Sequence, residues 1–212
     1  MNRWVINAWR ENKTFLLFIT LMMVFRSAFA DWNEVPTGSM RPTIVEGDRL
    51  FVNKLAYDFR VPFTHISLLK LSDPVRGDII IFDSQSSENR LVKRVVGVPG
   101  DIVEMKDNLL TINGEQLDYV TTTSTGSAEI KLENLLGERH FIRIDKSGSR
   151  LSNFQSVEVP AEHYFVLGDN RDNSADSRVI GFVPRYEIVG RPRSVVLSLN
   201  YYNFHIPRKN RF

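Results

Sequence analysis

Short runs rich in Val, Ile, Leu and Phe, most of them bounded by turn residues such as Gly, Pro, Asn and Asp, constrain this chain more than any other feature. They recur at 49–54, 79–82, 91–98, 102–105, 109–112, 157–159, 164–167 and 195–199. Runs of this length bounded by turn residues read as strands, and polar loops between them read as hairpin connections. In 49–54, Leu50 and Val52 share one face, while 79–82 and 91–98 flank the polar loop 83–90 as a hairpin-like pair. Asn113-Gly114 marks a tight turn. The 212 residues suffice for one medium domain, or for a core with a smaller unit. The expectation is a mainly β, antiparallel fold with its core over 31–103 and 163–200, a smaller β region over 104–162, and a basic aromatic tail over 201–212. Residues 121–127 read as a flexible loop, and 57–71 as either an apolar ribbon or an ordinary hairpin.

Composition narrows the function classes. With 27 basic and 25 acidic residues the net charge is +2, which makes no case for nucleic acid. The absence of cysteine removes disulfides, thiol nucleophiles and Cys-rich zinc sites. His65, His140, His163 and His205 show no metal-ligand spacing, so no metal and no cofactor are expected.

Three segments carry chemistry. Ser39 sits in Val35-Pro36-Thr37-Gly38-Ser39-Met40-Arg41-Pro42-Thr43, where two prolines fix φ and Gly38 widens the accessible backbone, a turn able to present one hydroxyl rigidly. Lys93 lies within Leu91-Val92-Lys93-Arg94-Val95-Val96-Gly97-Val98-Pro99-Gly100-Asp101. An amine lodged on the apolar face of such a strand loses solvation, so it can be neutral near pH 7 and serve as a general base; a snorkelling surface lysine is the plain alternative. The third is the dense polar run 168–178, which follows Tyr164-Phe165-Val166.

With Arg76-Gly77-Asp78-Ile79-Ile80-Ile81-Phe82 added, these motifs fall in an order that resembles the type I signal peptidases, membrane-bound Ser-Lys endopeptidases that remove leader peptides from exported proteins. The resemblance runs from about Trp32 to about Pro192 and is thin between Glu104 and Glu162. It implies the antiparallel core shared by signal peptidases and self-cleaving repressors, with 104–162 as an insertion outside the active site. It further implies that Ser39 is the nucleophile and Lys93 the base, that the Thr37 side chain and the Ser39 N–H form an oxyanion hole, and that the Ser174 hydroxyl orients the lysine. Val35, Leu50, Ile81 and Val92 flank the motifs and are expected to line shallow apolar pockets. Presecretory proteins with small residues at positions −1 and −3 would be the substrates. Asp169, Asp172 and Asp176 are expected to pair with Arg171, Arg178 and Arg94; their spacing misses the EF-hand pattern. Ser67-Leu68-Leu69-Lys70 matches a penicillin-binding Ser-x-x-Lys pattern, but the accompanying motifs are absent.

The N-terminus has two readings. Residues 15–25 are nearly all apolar, Arg3, Arg10 and Lys13 precede them, and Asp31 and Glu34 follow. A signal peptide ending at Ala28-Phe29-Ala30 fits this pattern, and so does a retained anchor over 14–30 with residues 1–13 cytoplasmic. The resemblance favours the anchor, a lipid bilayer as partner, and a catalytic part outside a bacterial inner membrane. Association with export machinery stays open. So do two alternatives: a dedicated conjugation-type processing peptidase of the same fold, and a membrane-tethered β module with a vestigial site.

Overall fold

A computed structural model describes residues 3–64, 66–200 and 206–207. The chain opens with helix α1 (Arg3–Ala28) and passes into strand β1 (Ala30–Glu34). Lys54 Nζ donates to the carbonyls of Arg26 and Ser27 at 3.2 and 3.1 Å, placing a cation on the unpaired C-terminal end of the helix. The expected membrane-spanning anchor over 14–30 is corrected here. Among the described residues no helix is long and apolar enough to cross a membrane, and the segment turns into strand at Ala30. Its apolar stretch 15–25 gives about 16 Å of helix, about half of a ~30 Å hydrocarbon core. Phe15, Leu17, Phe18, Leu21, Met22 and Met23 are all exposed.

The strands that follow are β2 (Asp48–Asn53), β3 (Asp58–Arg60), β4 (Ser67–Lys70), β5 (Ile79–Ser84) and β6 (Asn89–Gly97). Next come β7 (Ile102–Lys106), β8 (Leu109–Ile112), β9 (Glu115–Gln116), β10 (Asp118–Thr125), β11 (Ala128–Leu135) and β12 (Glu138–Asp145). The last are β13 (Phe154–Glu158), β14 (His163–Leu167), β15 (Val183–Pro184), β16 (Ile188–Asn200) and β17 (Ile206–Pro207), with a one-turn helix α2 (Ser177–Ile180) before β15. Among the described residues the main sheet has eight strands in the order β1-β2-β16-β5-β6-β14-β15, with β17 paired to β16. Smaller sheets are β10-β11-β12 and β13-β7-β8-β9, and all the named ladders are antiparallel. The mainly antiparallel β class is therefore present. Leu50 and Val52 are buried from one face of β2, as their alternation requires.

Local chemistry explains the turns. Asn113 and Gly114 both take positive φ, 53° and 83°, the geometry of a type I′ hairpin turn. Residues 121–127 are mostly strand, contrary to the loop expected. A run of threonines is β-branched and favours extended backbone, and the register shift between Thr121 and Thr123 shows where the ladder bulges. Segment 57–71 is a hairpin of β3 and β4 whose Phe63, Ile66, Leu68 and Leu69 are exposed rather than packed on the body. His65, His205 and most of the 201–212 tail lie outside the described residues.

Among the described residues three apolar clusters make the core. One joins Val96, Phe165 and Leu167 of the main sheet to Val103, Met105, Leu110, Ile112 and Leu135 of the smaller sheets, so these share one interior. A second gathers Ile80, Phe82, Val95, Tyr164, Val166 and Ile188 within the main sheet. The third lies under the serine turn and contains Val35, Met40, Ile44, Leu50, Val52, Ile81 and Val189.

Charge is buried as well as apolar surface. Glu133 on β11 is fully buried and accepts two bonds from Arg171, at 2.8 and 2.5 Å, and one from Tyr119 Oη at 2.6 Å. Burial alone would raise the Glu133 carboxyl, but the Arg171 guanidinium outweighs it and holds the group well below the usual carboxylate range. Removing one member of such a pair strands the other without water. Glu133→Gln should therefore lower unfolding free energy by about 3–5 kcal/mol; urea titration checks this, and a midpoint equal to wild type contradicts it.

Candidate active site

The serine turn is closed at its base by backbone bonds from Val35 N–H to Asp48 O and from Gly47 N–H to Val35 O, each 2.9 Å. Met40, the residue after the serine, plunges into the cluster beneath, which anchors the turn by burial. Inside it the Arg41 N–H reaches Gly38 O at 3.1 Å, the Ile44 N–H reaches Met40 O at 2.9 Å, and Arg41 pairs with Glu46 at 2.6 Å. Ser39 is 9% exposed.

Lys93 comes from β6, which is covered on both faces from Lys93 onward and is flanked by β5 and β14. Its side chain is 2% exposed, and Nζ lies 2.7 Å from Ser39 Oγ. Burial brings its ammonium down to about 8, against upward pulls from Asp176 and Asp169 and a further lowering by Arg178. The two carboxylates are themselves engaged. Asp169 accepts a fork from Arg94 at 2.9 and 2.8 Å and a bond from the Thr43 hydroxyl at 2.5 Å. Asp176 binds Arg178 at 2.8 and 2.6 Å and also accepts from the Gly168 N–H at 3.0 Å.

Gly168 is where the polar run meets the serine. A Cβ there would overlap both the Ser174 hydroxyl and the Ser39 carbonyl, so only glycine allows this approach. Ser174 is buried, and its Oγ has no hydrogen-bond partner among the described residues. Thr37 is exposed in the turn two residues before Ser39. Val35, Leu50 and Ile81 are almost wholly covered in the cluster below, and Val92 packs against it.

The charge pairing of the polar run follows the expectation only in part. Asp169 does meet Arg94 and Asp176 does meet Arg178, but Arg171 turns to Glu133. Asp172 instead collects the hydroxyls of Ser149 and Ser152, the Asn108 amide and the Asp145 N–H. Nothing local to Asn170 marks it in the sequence, yet its backbone N–H donates to Ser39 O and its side chain to Gly38 O, each at 3.0 Å. The only signal for it was its place inside the polar run.

A family profile described as signal peptidase, peptidase S26, matches residues 8–197. A signal peptidase I of Pseudomonas fluorescens is 39% identical, covering 88% of this chain and 71% of that protein. One from Pseudomonas aeruginosa is 37% identical with the same coverage. A crystal structure of a signal peptidase I from Enterococcus faecalis, 32% identical, covers 57% of this chain and 98% of that chain with a TM-score of 0.38, too low to bear on the fold. At the identity and coverage of the Pseudomonas proteins the chain belongs to the signal peptidases of type I, serine endopeptidases that remove signal peptides from exported proteins.

Proposed function

We propose that Ser39 attacks the scissile carbonyl of a presecretory protein while Lys93 Nζ accepts its proton, and that the same lysine then activates the water that hydrolyses the acyl-enzyme. The observation that carries this reading is a buried amine 2.7 Å from a buried serine hydroxyl, with its ammonium brought down to about 8. At that value an appreciable fraction is neutral at working pH, which a general base needs. The Ser39 N–H and the Thr37 hydroxyl are the donors to the developing oxyanion; neither donates to another described residue, which leaves both free to do so. Ser174 lies beside Gly168 at the edge of this group, where its unpartnered hydroxyl supports a role in orienting the amine.

Specificity follows from filled space. Val35, Leu50, Ile81 and Val92 pack densely beneath the serine turn, and a floor so filled leaves only shallow depressions for substrate side chains. Small residues at −1 and −3 suit it. The exposed apolar side chains of α1 and of the β3–β4 hairpin, with Trp32 on β1, support apposition to a lipid bilayer. Membership of the type I signal peptidases supports a β body that works at the outer side of a bacterial inner membrane.

Incubating a purified presecretory protein with detergent-solubilised wild type, Ser39→Ala and Lys93→Ala, and sequencing the new N-terminus, tests the assignment. Wild type should cut after a small-x-small site, and both variants should be inactive while folded. Thr37→Val should reduce kcat about 100-fold; an undiminished kcat excludes it from the oxyanion site. The acid limb of kcat/KM should show an apparent pKa near 8, with activity rising through it; a limb near the ordinary lysine value of 10.5 contradicts the dyad.

Stability should move in the same direction as activity. In the range from about 8 to 10.5 the unfolded chain holds a proton on Lys93 that the folded chain has lost, so wild-type stability rises with pH across that window. Below it the full cost of the buried ammonium is present. Lys93→Met should accordingly raise Tm at neutral pH while abolishing cleavage, and its advantage should shrink towards pH 10.5.

A further inference from the structure

Asn170 is almost fully buried and touches the serine turn from outside it. Its backbone N–H donates to Ser39 O at 3.0 Å, and its side-chain Nδ2 donates to Gly38 O at 3.0 Å. The other end of the carboxamide, Oδ1, accepts from an Arg143 guanidinium nitrogen at 3.1 Å. A guanidinium has no acceptor, so Arg143 can meet only the oxygen, and this decides which end of the amide faces Gly38. Strand β12 holds the loop in turn: the Arg143 N–H donates to Asp169 O at 2.8 Å, and the Arg171 N–H donates to Arg143 O at 2.9 Å, a short parallel bridge centred on Asn170.

The Gly38 carbonyl and the Ser39 N–H belong to one trans peptide, a rigid plane with the two groups on opposite edges. Whatever grips the carbonyl therefore aims the N–H. Arg41 N–H also reaches Gly38 O, but it is part of the same turn and moves with it. Asn170 is the grip that comes from the body of the protein. A hydrogen bond accepted at the carbonyl also polarises the peptide and strengthens its N–H as a donor.

We propose that Asn170 is a positioning residue for oxyanion stabilisation: its carboxamide fixes the peptide plane that carries the Ser39 N–H, and Arg143 fixes the carboxamide. The inference rests on Ser39 as nucleophile with its own N–H as an oxyanion donor. It makes a residue of the smaller β10-β11-β12 sheet part of the geometry of acyl transfer, although that residue touches no reacting atom.

The test compares Asn170→Ala and Arg143→Met with wild type and Ser39→Ala on a purified presecretory protein, measuring kcat, KM, the acid limb of the pH profile, and Tm. Asn170→Ala keeps the backbone bond to Ser39 O and removes only the carboxamide. Its kcat should fall about 30- to 100-fold, somewhat less than the roughly 100- to 1000-fold seen when one oxyanion donor is lost outright, because the Ser39 N–H is misaimed rather than removed. KM should stay within about twofold and the acid limb should not move, because Lys93 is untouched. Arg143→Met should show the same pattern at about 10-fold, since an unheld amide still finds Gly38 part of the time. An undiminished kcat in Asn170→Ala overturns the proposal, and so does a loss that comes with a shifted acid limb or a raised KM, which would mean a general disturbance of the site. If Asn170→Ala does not fold, Arg143→Met decides by the same criteria. Cleavage by Ser39→Ala would sink the nucleophile reading itself, whereas an inactive Ser39→Ala beside a fully active Asn170→Ala sinks only the positioning role.

Discussion

The desolvation of one amine governs the design of this molecule. An ammonium at the Lys93 position is penalised by burial, and the penalty has to survive two carboxylates close enough to pull the other way. Each carboxylate is committed to its own guanidinium, Asp169 to Arg94 and Asp176 to Arg178. Neighbouring groups thus cancel in pairs, and the apolar surroundings of β6 are left to set the balance. The same pairs perform structural work: Asp176 caps α2 and holds the Gly168 N–H, while Asp169 ties Thr43 of the serine turn to Arg94 of the strand that carries the lysine.

The polar run after β14 is consequently a junction rather than a loop. Successive residues point to different bodies: Asp169 to β6, Asn170 to the serine turn, Arg171 to Glu133 on β11, and Asp172 to Ser149, Ser152 and Asn108. Burying so many charged and polar groups costs solvation, and pairing repays it only where geometry is good. What this arrangement obtains is a defined position for each residue, because any slip of the segment would leave several of them unpaired at once.

The antiparallel β class was legible because strand periodicity and turn chemistry act over a few residues; Leu50, Val52 and Asn113-Gly114 each report on their own neighbourhood. Threonine misled at 121–127, where polarity suggested a loop and β-branching prevailed within a ladder. The N-terminal apolar stretch misled for a different reason: hydrophobicity does not say where a helix stops, and here strand pairing with β2 begins at Ala30. At the candidate site the residue types were legible and their approach was not. Ser39 and Lys93 stand far apart in sequence, and nothing local to either announces a 2.7 Å contact. Asn170 and the turn of Arg171 towards Glu133 were illegible altogether, since a polar run offers every acid and base a choice of partners that only the packed sheets resolve.

Strand β1 has a consequence for the enzyme's own survival. Ala28-Phe29-Ala30 carries the small-x-small pattern that the proposed specificity would accept, yet it is not presented as free chain. The Phe29 N–H closes the last turn of α1 on Phe25 O, the Phe29 carbonyl accepts from Lys54 N–H, and Ala30 enters the ladder opposite Asn53. A scissile segment must be extended and unpaired to enter a cleft, so autolysis at this point has to wait for local unfolding of helix end and edge strand together. Secondary structure alone holds this segment out of the extended, unpaired form that a cleft requires.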